Sequence, residues 1–200
     1  MDSSTNCLTK RPKSSRKNKS KQIVPRFDDS RSYSGQAVWR MRLPAIPSLL
    51  STTVTTGVIA SSYSISTTNI AGFASRFGST FDEYRIVSAK VLIRPVSAST
   101  GISVCFFDEK SGSVPTQNES TERIGQRICN SNAAAKAVTQ MSWTARDLLD
   151  LNFTPIGTSV TPVYFKTYTD TSFWGAPSVV TPLWVIEPEI VLEFKGLKST

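Results

Sequence analysis

Apolar residues along this chain come in short runs of β-branched and aromatic types, separated by clusters of Pro, Gly and Ser, and their commonest rhythm is alternation with polar residues. Extended backbone points successive side chains to opposite faces, so each alternating run predicts a strand with one buried face. In residues 37–43 Ala37, Trp39, Met41 and Leu43 alternate with Arg40 and Arg42. A second strand is expected over about 58–66, where Ile59, Tyr63 and Ile65 share a face. The most regular run is 84–94: Val87, Ala89, Val91 and Ile93 form one row against Ser88, Lys90 and Arg94, and Pro95 closes it. Ile102, Val104 and Phe106 form a further inward row that ends at Asp108. Later strands are expected at 137–143, 163–169, 183–187 and 189–195.

Helical spacing is sparse. Ile70, Phe73 and Phe77 follow Asn69, read as a cap, in a short helix bounded by Gly72 and Gly78. Residues 111–135 read as a long polar loop with a helical turn over 119–128. The run Thr144-Ala145-Arg146-Asp147 is similar to a capping box and opens a short helix through Leu148, Leu149 and Leu151. Seven or eight strands joined by long connections suit an all-β fold, a single eight-stranded jelly-roll sandwich of Greek-key type, with short helices in the connections. An immunoglobulin-like sandwich fits less well, because the 111–135 connection is long and no Cys…Trp…Cys core pattern is present.

Charge divides the chain in two. Of 23 Lys and Arg, eight fall at Lys10, Arg11, Lys13, Arg16, Lys17, Lys19, Lys21 and Arg26, and residues 1–27 hold one acid, Asp2. The remaining 173 residues carry 15 cations and 14 anions. A cationic run mixed with Ser and Asn cannot bury a core and repels itself, so residues 1–30 are expected to be a disordered arm for a polyanion and 31–200 the folded domain. Ile23 and Val24 are too few for the apolar stretch of a secretory signal, and a Lys-dominated run without an apolar stripe does not suit a transit peptide. The same run also suits a nuclear or nucleolar address. No segment approaches the ~18 apolar residues of a membrane span.

The chain contains no histidine, and its cysteines stand at 7, 105 and 129 without a Cys-x-x-Cys pair. This removes the usual general base, the His-dependent nucleophile pairs and most transition-metal sites. No Gly-rich phosphate loop or nucleophile elbow is present either, so an enzyme is not expected. The thiols read as free, in a reduced intracellular protein, with Cys105 as a small apolar core residue. Trp39, Trp143, Trp174 and Trp184 read as core or interface anchors.

The sequence Phe81-Asp82-Glu83-Tyr84-Arg85-Ile86-Val87, followed by Val91-Leu92-Ile93-Arg94-Pro95, Gly101-Ile102-Ser103-Val104 and Phe106-Phe107-Asp108, resembles the coat proteins of small positive-strand RNA plant viruses of the tombusvirus and sobemovirus type. In that family an aromatic-x-x-Tyr start leads into a strand ending at Pro, then a Thr/Gly turn, then a strand with Phe-Asp at its exit. The match covers residues 81–109 and is topological elsewhere. The resemblance implies a shell domain that packs beside copies of itself as a homo-oligomeric capsid, and an internal arm that gathers single-stranded RNA, in the virion and the host cytoplasm. The shell is expected to be smooth, since no protruding domain follows the last strand by Thr200, and the short tombusvirus-like coats of ourmiaviruses allow a bacilliform particle as well as a spherical one.

Family members often hold calcium between subunits with carboxylates at a Phe-Asp-x-Asp exit. Here the run is Phe107-Asp108-Glu109-Lys110, so Asp108 and Glu109 are the candidate calcium ligands and Lys110 opposes them. Arg40 and Arg42 are expected either to add phosphate contacts beside the arm or to form cross-strand salt bridges. The expected function is a viral capsid protein that self-assembles and packages RNA. The alternative is a non-capsid nucleic-acid-binding β-sandwich, such as a movement protein or silencing suppressor, with a nuclear-targeting tail.

Overall fold

The computed structural model describes residues 28–33, 36–96, 101–130, 138–147 and 151–198. The eight arm cations, Lys10 to Arg26, lie outside these residues. Two antiparallel sheets pack face to face. The first is seven-stranded: β1 (Asp28–Tyr33), β2 (Gln36–Pro44), β11 (Pro182–Leu197), β5 (Phe81–Pro95) and β8 (Thr139–Thr144) lie in that order, with β3 (Ser48–Ser51) on β11 and β9 (Thr154–Pro155) on β5. The second is four-stranded, in the order β4 (Ile59–Ile65), β10 (Val163–Thr169), β6 (Ile102–Asp108), β7 (Arg127–Asn130). Strands β2, β11, β5 and β8 thus face β4, β10, β6 and β7, which is the jelly roll expected from the alternation. The remaining three strands, β1, β3 and β9, are additions to it.

The core lies between the sheets. Met41, Leu43, Tyr84, Ile86, Ala89, Val91, Ile93, Met141, Trp143, Ile186, Ile190, Leu192 and Phe194 pack against Ile59, Ile65, Cys105, Val163 and Phe165. Trp184 and Trp143 belong to this core, and Trp39 packs against it. Both described cysteines, Cys105 and Cys129, are free and buried. At one end α1 (Phe73–Phe77) closes the sandwich: Phe73 meets Tyr84 edge-on at 4.9 Å, and Phe77 and Phe81 lie 5.0 and 4.9 Å from Phe194. The cap of α1 is Gly72, whose φ is 64°, and not Asn69. Asn69 instead closes a 3-10 turn (Thr67–Asn69) and donates from Nδ2 to the Ser64 carbonyl at 2.6 Å, a local bond that competes with capping.

Four further expectations are corrected. The two closing strands are one, β11, which runs through Pro188. In an antiparallel strand the N–H and C=O of a residue face the same neighbour, and the Pro188 carbonyl accepts from Ala45 N at the gap between β2 and β3, so its missing N–H interrupts no ladder bond. In β5 the register slips between Leu192↔Ile86 and Val191↔Ser88, leaving Val87 as a bulge. The core row is therefore Tyr84 and Ile86, then Ala89, Val91 and Ile93. In β6 the row facing the core is Cys105 and Phe107, with Val104 and Phe106 on the outer face; both faces are buried, so alternation alone did not show which was inward. Finally, the polar stretch after β6 contains α2 (Gln117–Glu122), opened by a Thr116–Glu119 capping box, and then β7, which the loop reading had absorbed. The helix expected through Leu148 and Leu149 falls outside the described residues.

Candidate nucleic-acid and metal sites

Arg40 and Arg42 project from the outer face of β2, as the alternation requires: Met41 and Leu43 enter the core and the two arginines are exposed. β1 pairs with this strand and places Asp28 opposite Arg40. The chain therefore enters the fold beside these arginines, two residues after Arg26. Across the rest of this face opposite charges alternate. Arg85 donates from Nε and Nη2 to Glu193 at 2.9 and 2.6 Å and from Nη1 to the Leu151 carbonyl at 2.8 Å, and its guanidinium lies 4.5 Å from the centre of the Phe153 ring. Arg94 and Glu187 make a two-pronged pair at 3.1 and 3.0 Å, and this hydrogen bond holds the Glu187 carboxyl below the usual carboxylate range. Lys195 pairs with Glu83 at 2.5 Å.

Arg42 joins this ladder weakly, 3.9 Å from Glu189 with its side chain two-thirds exposed. Arg40 stands in register with Glu193, whose carboxylate is already taken by Arg85, and it forms no ion pair with any described carboxylate side chain. The two arginines therefore divide between the readings drawn from sequence. Arg42 is loosely bridged, and Arg40 is exposed without a described ionic partner.

At the exit of β6 the acids meet cations. Asp108 is buried on the outer face of the four-stranded sheet, beneath α2, which packs on β6 and β10. Its Oδ2 receives Lys166 Nζ at 2.6 Å and Arg123 Nη2 at 3.0 Å, while Oδ1 accepts from Lys110 N at 3.0 Å. Lys166, directly across from Phe106 in the ladder, is as buried as Asp108. Burial alone would raise the Asp108 pKa; the bonds from Lys166 and Lys110 N, with the charges of Lys166 and Arg123, outweigh it and hold the carboxyl below its ordinary value. Glu109 turns away and accepts from Trp143 Nε1 at 2.5 Å.

Within a single chain these residues do not form a calcium site. Calcium takes six to eight oxygen ligands, and here one carboxylate is saturated by two cations and a backbone N–H, the other is bonded to an indole, and the described residues of the chain contain no cluster of three acidic, cysteine or histidine side chains. The partners that matter, Lys166 and Arg123, are 58 residues downstream of Asp108 and across a helix respectively. The sequence signal was the lysine at 166 in an otherwise apolar strand row, a charge that needs burial with a partner.

No protein-family model matches the sequence, and no curated protein matches it. Solved structures do. Over 86% of this chain and 96% of the other, the fold is similar to a chain of mud crab tombus-like virus, with a TM-score of 0.59 and 11% identity. Tobacco necrosis virus gives 0.58 at 15% identity over 88% of each chain. Cocksfoot mottle virus gives 0.57 at 12% identity over 79% of this chain and 94% of that one. At such identities the likeness is one of fold: the chain is a jelly roll of the kind found in tombusvirus- and sobemovirus-like viral shells.

Proposed function

We propose that the protein is a viral capsid subunit that self-assembles into a closed shell and packages a single-stranded RNA genome through Lys10, Arg11, Lys13, Arg16, Lys17, Lys19, Lys21 and Arg26. The observation that carries the reading is the combination of a viral-shell fold with a run of eight cations that ends two residues before β1. Such an arm binds phosphate by releasing counterions, without reading bases, and its affinity falls with salt. Arg40 and Arg42, on the strand paired with β1, extend the same cationic surface onto the folded domain, and Arg40 has the freer charge. In this reading the protein resides in the virion and the host cytoplasm, and the nearly balanced ion-pair ladder on the rest of the sheet keeps the RNA-binding charge at the arm.

Electron microscopy of the purified full-length protein, with and without single-stranded RNA, tests this. Uniform closed particles whose RNA resists RNase are expected, and glutamine at the eight arm cations should abolish RNA protection. The logarithm of RNA affinity should fall with the logarithm of salt with a slope of about −5 to −6 if all eight cations engage, given about −0.7 per phosphate on single strands. Salt-sensitive binding with only small or irregular complexes under every condition would overturn the capsid reading in favour of a nucleic-acid-binding regulator.

A further inference from the structure

Beyond the end of β6, the rim of the four-stranded sheet and the edge strand β8 part around a cleft of about 730 Å3, bordered by Lys110, Arg123, Arg127 and Arg146 and floored by Trp143. Among the described residues the acids that line this cleft are Asp108 and Glu109. Asp108 is bonded to both Lys166 and Arg123, and Glu109 accepts from the Trp143 indole. Three cations remain: among the described residues Lys110, Arg127 and Arg146 have no carboxylate within 4 Å. They come from three separate segments, following β6, opening β7 and following β8, so the fold and not the local sequence brings them to one place.

The walls are fixed. Arg123 is bonded to Asp108 at 3.0 Å and stacks over Phe106 at 5.5 Å, and the Trp143 indole is tied to Glu109. Cations in excess of the carboxylates that line the cleft raise the free energy of its empty state, and an anion relieves it. Guanidinium forks match the oxygens of phosphate better than a point cation does, and two arginines here, Arg127 and Arg146, have theirs free.

We propose that this cleft is a phosphate-binding site on the folded domain, taking either a free polyphosphate or the backbone of an RNA strand, independently of the arm. It does not rest on the arm's role, so the two readings can fail separately. The full-length protein is melted at low salt with tripolyphosphate and, separately, with a ten-residue oligouridylate. A ligand held by the folded domain raises Tm, and the variant with glutamine at the eight arm cations separates any contribution of the arm.

Tripolyphosphate at about ten times its Kd should raise Tm by about 3–6 °C. Arg127→Gln with Arg146→Gln should remove most of that rise, and Lys110→Gln, in a loop where folding is not at stake, should remove part. Glutamine at the eight arm cations should leave it intact. A rise with tripolyphosphate alone assigns the cleft to free polyphosphate; a rise with the oligonucleotide too, lost in the same variants, assigns it to RNA. No rise in the native protein, or an undiminished rise in both cleft variants, overturns the proposal. If RNA protection survives loss of the arm charges, the proposed function of the arm falls while the cleft stands on its own result.

Discussion

Asp108→Ala removes the counterion of a lysine that has nowhere to go. The Lys166 side chain is 2% exposed, and its ammonium has one acidic partner among the described residues, the Asp108 Oδ2 at 2.6 Å. Stranding a buried charge in this way costs about 3–5 kcal/mol, whereas Arg123, 35% exposed, can turn to water at a cost below about 1 kcal/mol. For a domain of this size the loss corresponds to a drop in Tm of about 6–20 °C. Lys166→Met should cost less, about 1–3 kcal/mol, because Asp108 keeps Arg123 and Lys110 N. The double variant Asp108→Leu with Lys166→Met should recover to within about 2 kcal/mol of the native protein, since apolar replacement of a buried ion pair is often near neutral. Urea unfolding followed by tryptophan fluorescence measures all four corners of this cycle. The acid limb gives a second reading. The folded pKa of Asp108 is depressed, so its contribution is complete above the unfolded carboxylate value of about 3.9 and fades as pH falls through the lower folded value; the stability gap between native protein and Asp108→Asn should narrow below pH ~4. A loss under about 1 kcal/mol for Asp108→Ala, or strict additivity in the cycle, would refute the argument.

Two other perturbations have definite signs. Gly57 has φ +60°, and a Cβ there would sit 2.7 Å from the Pro177 carbonyl oxygen as well as against Thr171, so Gly57→Ala should destabilise by at least about 2 kcal/mol in the same urea assay. Phe194 is fully buried among Phe73, Phe77 and Phe81, and Phe194→Ala should cost about 3–5 kcal/mol, with a lowered urea midpoint at unchanged slope.

The long strands were legible because their alternation reports one buried face, as in β2, where Arg40 and Arg42 interleave with Met41 and Leu43. Legibility failed wherever a second constraint overrode that period. The Val87 bulge shifts the row within β5, the burial of both faces of β6 disguises which is inward, and β7 is four residues of Arg-Ile-Cys-Asn with too little repeat to register. Pro188 looked like a break because sequence does not reveal that the strand beside it has a gap. At the site, Asp108 was found by resemblance to a metal-binding exit, but its partners come from β10 and the segment after α2, a juxtaposition only the fold supplies. The cationic cleft had no signal at all in a chain whose residues beyond 27 are almost neutral.

The place of β11 at the middle of its sheet has a consequence for biosynthesis. It bridges β2 and β3 on one flank and β5 on the other, yet it emerges from the ribosome after every other described strand. Until residues 182–197 are made, β1 and β2 have no connection to β5 and β8, and the inner faces of both halves stay wet. At ~5–20 residues per second the cations of residues 10–26 are synthesised many seconds before the sandwich can close. The cationic run is thus made first and the centre of the seven-stranded sheet last, so translation itself orders the two events.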